Sequence, residues 1–311
     1  MGAKLTKMQR VVVTGATGFI GFHLIKTLAC NGREVYAVCR EGSLHCDRLK
    51  GISGVKIIFC NLENIDTLPQ IIGDVDFDVF FHMAWENASG RKRADYGVQV
   101  NNIAWSLGVV SAAEKLNCKK IVSVGTVCEN QCDYIKLQDK FLSASYYLSA
   151  KKTTHEMMRY ACLEKNIPFV WLTFYHPIGA YNKTDQLMAN TILKLYRNEA
   201  TKFGSCNQLF DVIAVEDLAR AICLTGQYNL KEDTYFIGSG KPRRLKDYLS
   251  EVRDIVAPNI KLGFGEYDDN HLPMRKEWLT DSKFNEETGF CPEVNFKESV
   301  RRTFEYVKTI E

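Results

Sequence analysis

The sequence predicts an α/β protein: a doubly wound parallel sheet with a second, smaller α/β lobe. Three observations carry this. The β-branched run Val11-Val12-Val13 leads through Thr14 into Gly15-Ala16-Thr17-Gly18-Phe19-Ile20-Gly21, and Ile20, Leu24 and Leu28 then recur at helical spacing. Strand-like and helix-like runs alternate over the first ~175 residues, the pattern of a parallel sheet covered on both faces. From about Tyr181 that alternation breaks into short strands and irregularly spaced helices. The expected division is 1–180 and 181–311, packed as one compact unit without a low-complexity linker.

In order, the strands expected after the first helix are Glu34 to Arg40, Val55 to Asn61, Phe77 to Ala84, Lys120 to Gly125 and Phe169 to Thr173. Ile103 to Leu116 and Tyr147 to Glu164 read as helices between them. In the second part, helices are expected over Leu187 to Arg197, Leu218 to Thr225, Leu245 to Val256 and from about Lys297. Tyr235 to Gly240 reads as a strand ending in a turn. Right-handed crossovers would place a ligand at the carboxyl ends of the first strands.

The first strand, its glycine turn and the following helix suit a dinucleotide pyrophosphate. The first glycine permits the tight turn, the second lets the backbone approach the phosphates, and the third lets helix and strand pack closely. The helix N-terminus adds unpaired N–H groups and a partial positive charge. The second strand ends Val38-Cys39-Arg40, with no carboxylate before Glu41. Arg40 suits the 2′-phosphate of NADPH, where an Asp or Glu would accept from the free hydroxyl of NADH. The competing reading leaves Arg40 a solvated charge and gives the ribose to Glu41.

Composition narrows the classes. Lys+Arg 40 against Asp+Glu 37 in 311 residues leaves no basic stripe for nucleic acid. No apolar run approaches the ~18 residues of a membrane helix. Met1 to Lys7 runs into the first strand without a signal-peptide core. The odd number of cysteines, 11, sits largely in apolar runs, which suits reduced thiols in a cytoplasmic protein. Cys128 and Cys132 lack a second ligand pair, so no metal site is expected.

Tyr147 and Lys151 are spaced to share a helix face. A phenol is a poor base at neutral pH, and a neighbouring ammonium would favour its ionised form and tune it for proton transfer to or from a carbonyl oxygen. Val122-Ser123-Val124-Gly125-Thr126 ends a strand with a hydroxyl, Thr126 or failing it Ser123, where a carbonyl needs a second donor.

Taken together these motifs resemble the extended short-chain dehydrogenase/reductase family, the NAD(P)-dependent sugar-nucleotide epimerases, dehydratases and reductases. The resemblance covers nearly the whole chain. Gly15 to Gly21 is similar to its G-x-x-G-x-x-G turn, Phe81-His82-Met83-Ala84 to the segment beside the cofactor, and Asn102 with Ser106 to a helix start. Asp211 to Asp217 and the tail from Asp281 to Pro292 resemble later family motifs. The resemblance implies a Rossmann domain with a substrate-binding lobe. It implies Thr126, Tyr147 and Lys151 as the catalytic set. The cofactor would lie against Gly15, Thr17, Gly18, Phe19, Ile20, Gly21, Arg40, Asn61, Leu62, Met83, Ala84 and Asn102, with Tyr147 and Lys151. Trp85, Thr126, His176 and Arg275 would meet the substrate, His176 replacing an Asn of the family pattern. His82 reads as a strand-end residue and not a catalyst.

Two departures narrow the activity. The 4,6-dehydratases of the family carry Asp-Glu directly after the catalytic Thr, and its decarboxylases a Glu two positions after it. This chain has Val127-Cys128. Net reduction of a keto-sugar nucleotide and 4-epimerisation remain, and Arg40 favours an NADPH-dependent reductase. Phe81 to Trp85 and Lys261 to Gly265 look most like the 4-keto-6-deoxy sugar nucleotide reductases. A non-catalytic NADPH-binding regulator and a reductase of non-nucleotide carbonyls are the other expectations. Dimerisation through the two long helices is implied by the same resemblance.

Overall fold

The computed structural model describes residues 4–135, 142–182, 184–269 and 272–311; Met1 to Ala3 of the N-terminal lead-in lie outside these. The main sheet has seven strands: β1 (Arg10–Thr14), β2 (Glu34–Cys39), β3 (Val55–Phe59), β4 (Val79–His82), β5 (Ile121–Val124), β6 (Phe169–Thr173) and β7 (Thr234–Phe236). All its pairings are parallel, in the order β7-β6-β5-β4-β1-β2-β3. The order reverses between β1 and β4, and that switch point opens a crevice at the strands' carboxyl ends.

The apolar runs sort by strand period. Val11 and Val13 face one layer and Val12 the other; Val35 and Ala37 oppose Tyr36 and Val38 in the same way. Both faces are covered, so each strand is apolar throughout. On one face α1 (Phe19–Cys30) lies beside α5 (Val215–Gln227), and Leu24, Ile25 and Leu28 interleave with Leu218, Ala221 and Ile222. Those three α1 side chains are fully buried, each contributing roughly 1.5–3 kcal/mol. On the other face α2 (Tyr96–Lys115) and α3 (Ser145–Glu164) pack together over Val109, Val110, Ala113, Met158 and Cys162.

The second part has its own core, formed by α4 (Leu187–Tyr196), α6 (Leu245–Val256) and α7 (Phe296–Ile310) around Met188, Ile192, Tyr248, Leu249 and Val300. A parallel strand pair, His176–Ile178 with Val212–Ala214, links it to the sheet. The chain also returns: α5 and β7 belong to the main sheet's layers, and Tyr235 pairs in register with Leu172.

Some boundaries differ from the sequence reading. The helix expected from Ile103 begins at Tyr96, because the Asp95 side chain accepts from the Val98 amide at 3.2 Å and caps it earlier. The strand expected from Tyr235 to Gly240 is only Thr234–Phe236, set by its pairing with β6. No helix among the described residues is long and apolar enough to cross a membrane.

Candidate active site

The glycine turn follows β1 and folds back on itself. Gly15 has φ +67°, a left-handed conformation, and a Cβ there would come within 2.8 Å of the Ala84 amide nitrogen. The Gly18 amide donates to the Gly15 carbonyl at 2.9 Å. A Cβ on Gly21 would lie 2.8 Å from the Gly15 carbonyl carbon and collide with its oxygen, so α1 can approach β1 only with glycine here. Gly18 caps α1 without a side-chain hydrogen bond, which leaves the first amides of the helix unpaired.

A cavity of about 460 Å³ lies against this turn. Gly15, Gly18, Phe19, Ile20 and Gly21 form one wall with Met83; Thr126, Tyr147 and Lys151 form another; Trp85 and His176 close it. Residues separated by more than a hundred positions therefore meet at the switch point.

Thr126 follows β5. Its hydroxyl accepts from the Cys128 amide at 3.3 Å, and its own amide donates to Glu129 Oε1 at 2.8 Å, a capping box over the short turn Val127–Gln131. Glu129 is buried and also accepts from Trp171 Nε1 at 3.2 Å. Tyr147 is buried on α3, edge-on to Trp85 at 6.1 Å, with the Arg93 guanidinium 4.2 Å from its ring centre. Burial pushes the phenol well above its ordinary value near 10; Arg93 pulls it the other way.

Lys151 lies one turn along α3, as the spacing predicts. Its ammonium, however, donates to the Val124 carbonyl at 2.8 Å and rests 3.7 Å from the Trp85 ring centre. No hydrogen bond joins it to Tyr147 among the described residues. Burial holds it down at about 7, with buried Glu129 pulling in the opposite direction. Lys151 and Tyr147 line the same cavity, and the Arg93 guanidinium also faces the tyrosine ring.

The family model of the NAD dependent epimerase/dehydratase family matches residues 11–238, from β1 to just past β7. The chain belongs to this family. Among similar curated proteins, the CDP-abequose synthase of Salmonella typhimurium is 24% identical over 305 residues, covering 94% of this chain and 96% of that protein. A dTDP-6-deoxy-L-talose 4-dehydrogenase (NAD(+)) of Aggregatibacter actinomycetemcomitans is 23% identical, covering 82% and 92%. The fold is shared with the UDP-glucose 4-epimerase of Thermotoga maritima solved with UDP-glucose, at 20% identity, TM-score 0.80 and coverage of 97% and 100%. It is shared equally with the Bordetella bronchiseptica enzyme WbmH in complex with NAD+, at 21%, TM-score 0.79 and coverage of 97% and 99%.

As a member of the epimerase/dehydratase family the chain places its other expected site residues unevenly. Arg40 stands exposed just past β2; Asn61 Oδ1 accepts from the Glu41 amide at 3.1 Å, and Leu62 opens the short turn after β3. Thr17 lies outside the cavity wall, 3.2 Å from the Ser43 hydroxyl. Ala84 abuts the glycine turn through its backbone. Asn102 does not face the cavity: its amide oxygen accepts from the Glu86 amide at 2.8 Å and its amide nitrogen donates to the Glu86 carbonyl at 2.9 Å. It anchors the loop that carries Trp85.

Arg275 is the clearest departure. It lies off the cavity, half exposed, 3.7 Å from Glu277 and against the rings of Tyr134 and Trp278. His176 does line the cavity; its Nε2 is buried without a partner, and burial holds the imidazole down at about 4, neutral at pH 7. His82 is tied through both ring nitrogens, to Thr14 Oγ1 at 2.8 Å and Ser106 Oγ at 3.1 Å.

Two residues were missed by the sequence reading. Arg93 sits in the run Arg91-Lys92-Arg93, which looks like a solvated loop, and no local signal marks it. Glu129 did carry a signal, the capping-box spacing from Thr126.

Proposed function

We propose that this protein reduces a keto-sugar nucleotide of the 4-keto-6-deoxyhexose type to a deoxysugar nucleotide, using NADPH. The observation that carries the proposal is the convergence of Thr126, Tyr147 and Lys151 with the glycine turn in one cavity, while Val127 and Cys128 occupy the positions of the family's additional proton carriers. Burial pushes the Cys128 thiol up to about 11, so it is a poor acid or base at neutral pH.

The glycine turn fits a dinucleotide: a side chain at Gly15 or Gly21 would collide with the backbone that shapes the turn, and the first amides of α1 have no capping side chain and are left for the phosphates. Arg40, at the end of β2, takes the 2′-phosphate, with Asn61 and Leu62 beside the adenine. The nicotinamide, when bound, supplies the hydride. Thr126 accepts from the Cys128 amide and so keeps its own proton to donate to the substrate carbonyl. Tyr147 delivers the proton to that oxygen as the alkoxide forms. Lys151, released from the Val124 carbonyl, holds the nicotinamide ribose. Trp85 and His176 bound the sugar. On this reading residues 1–180 mainly bind the cofactor and 181–311 mainly the substrate.

The relatives act on CDP- and dTDP-linked sugars by name, which supports the substrate class. The fold neighbours solved with UDP-glucose and NAD+ keep 4-epimerisation as the second reading. Exposed Val100 on α2 with Met157, Tyr160 and Leu163 on α3 supports a homodimer through these helices. Eleven cysteines, none of them in a disulfide and most of them buried, support a cytoplasmic location.

The test is NADPH consumption with a panel of 4-keto-6-deoxy sugar nucleotides. Turnover is expected, falling about 10²-fold or more in Tyr147→Phe. Interconversion of UDP-sugars without net cofactor consumption would replace the reading with the epimerase. Dinucleotide binding without either reaction would replace it with the regulator.

A further inference from the structure

The cavity at the switch point suits anions. Among the described residues no Asp or Glu lines it, and its cations are Arg93 and Lys151. The phosphates of a dinucleotide fall to the glycine turn and the first amides of α1. Lys151 stands on the same wall as Tyr147, where its ammonium donates to the Val124 carbonyl. A sugar nucleotide brings a diphosphate of its own. Arg275, the cation that the sequence offered to the substrate, lies off the cavity beside Glu277.

Arg93 comes from the short turn Arg91–Ala94, between β4 and α2. Its backbone is tied down: the amide donates to the Gly90 carbonyl at 3.2 Å, and the carbonyl accepts from Gln99 Nε2 at 3.4 Å. Gln99 is itself buried, and its Oε1 accepts from Trp85 Nε1 at 3.0 Å. The guanidinium lines the cavity over the ring of Tyr147, 4.2 Å from its centre. Its charge is also felt at Cys128, on the turn after β5, and at Tyr175, just past β6. Its Nε is buried without a hydrogen-bond partner, and no carboxylate among the described residues pairs with it. A guanidinium carries five donors in a planar fork, and leaving them unmet in a buried wall is costly. A phosphate oxyanion matches that fork, and the pairing strengthens where water is scarce.

We infer that Arg93 is the contact for the substrate's diphosphate, and that it makes the cavity select nucleotide-linked sugars over free ones. The inference rests on the proposed sugar-nucleotide substrate. It leaves the proton chemistry of Tyr147 and Lys151 as described above.

The test is isothermal titration calorimetry of the protein saturated with NADP+, using CDP, dTDP, UDP and GDP as probes. At least one of them should bind the parent. Arg93→Gln should weaken that diphosphate about 10-fold or more while leaving NADP+ affinity unchanged. It should also flatten the loss of diphosphate affinity with added salt, which a merely structural role would not move. Arg93→Lys should restore part of the affinity, as a point charge without the fork. Equal diphosphate affinity in parent and Arg93→Gln overturns the inference and leaves the sugar-nucleotide reading standing. Equal weakening of diphosphate and NADP+ also overturns it, making Arg93 a support of the cavity wall. UDP-glucuronate weakened by Arg93→Gln while UDP is not would move the contact to a sugar carboxylate and overturn it too. A parent that binds none of the diphosphates overturns the sugar-nucleotide reading itself, and the inference with it.

Discussion

Trp85 and Lys151 are in direct contact: the lysine Nζ lies 3.7 Å from the centre of the indole ring while donating to the Val124 carbonyl at 2.8 Å. No carboxylate pairs with the ammonium among the described residues, and burial holds it down at about 7 against an ordinary 10.5. Between those values the unfolded chain keeps a proton that the folded chain has released. Stability therefore rises with pH across that window, and the burial cost is fully felt only below about 7. Lys151→Met should flatten the rise, by up to about 1.4 kcal/mol per pH unit, in urea unfolding of the cofactor-free protein. Lys120, held down at about 8 by burial, contributes a slope of its own, so the parent–variant difference is the quantity to measure.

Gly21, in the first turn of α1, faces the Gly15 carbonyl of the turn that follows β1. Gly21→Ala should force the helix off the strand, destabilise the fold by about 2–4 kcal/mol and abolish dinucleotide binding. Chemical denaturation and a fluorescence titration with NADPH check the two effects separately. Binding at parental affinity would show that the turn yields without loss.

Glu129 holds the Thr126 amide and the Trp171 indole at once. Glu129→Ala leaves both donors unpaired in a buried site and should cost about 2–4 kcal/mol, with Thr126 displaced. Glu129→Gln keeps a carbonyl oxygen for these donors and should cost less. The comparison is made by thermal unfolding of the two variants side by side.

Arg40 tests the cofactor. Arg40→Asp places a carboxylate at the end of β2, which accepts from a free ribose hydroxyl and repels a 2′-phosphate. NADPH affinity should fall by about 10²-fold or more, while NADH binding is kept or improved. Equal loss for both cofactors would return the ribose to Glu41.

Much of this was legible along the chain because the relevant physics is local. A left-handed glycine after a β-branched strand, a helix whose apolar residues recur every turn, and a tyrosine four residues before a lysine are all short-range patterns. Each limits what the backbone can do within about one turn or one strand. Thr126, Tyr147, Lys151 and His176 reach the cavity because each sits on, or directly follows, an element that the alternating pattern already placed at the sheet's carboxyl edge.

Other features depended on packing between distant segments. The side chain of Asn102 turned to the Glu86 backbone, and that of Arg275 to Tyr134 and Trp278, and no local pattern distinguishes those partners from a ligand. The strand Thr234–Phe236 left its own lobe to complete the main sheet, since β6 offered a free edge and α5 a covering layer. By itself the sequence determined the strand–glycine turn–helix and the helix that carries Tyr147 and Lys151, because backbone sterics and periodic burial act over a few residues. Only the tertiary structure decided that Arg93 also faces Tyr147, because it is placed there by Gln99 and Trp85, through contacts that arise only once the loop after β4 is folded onto α2 and α3.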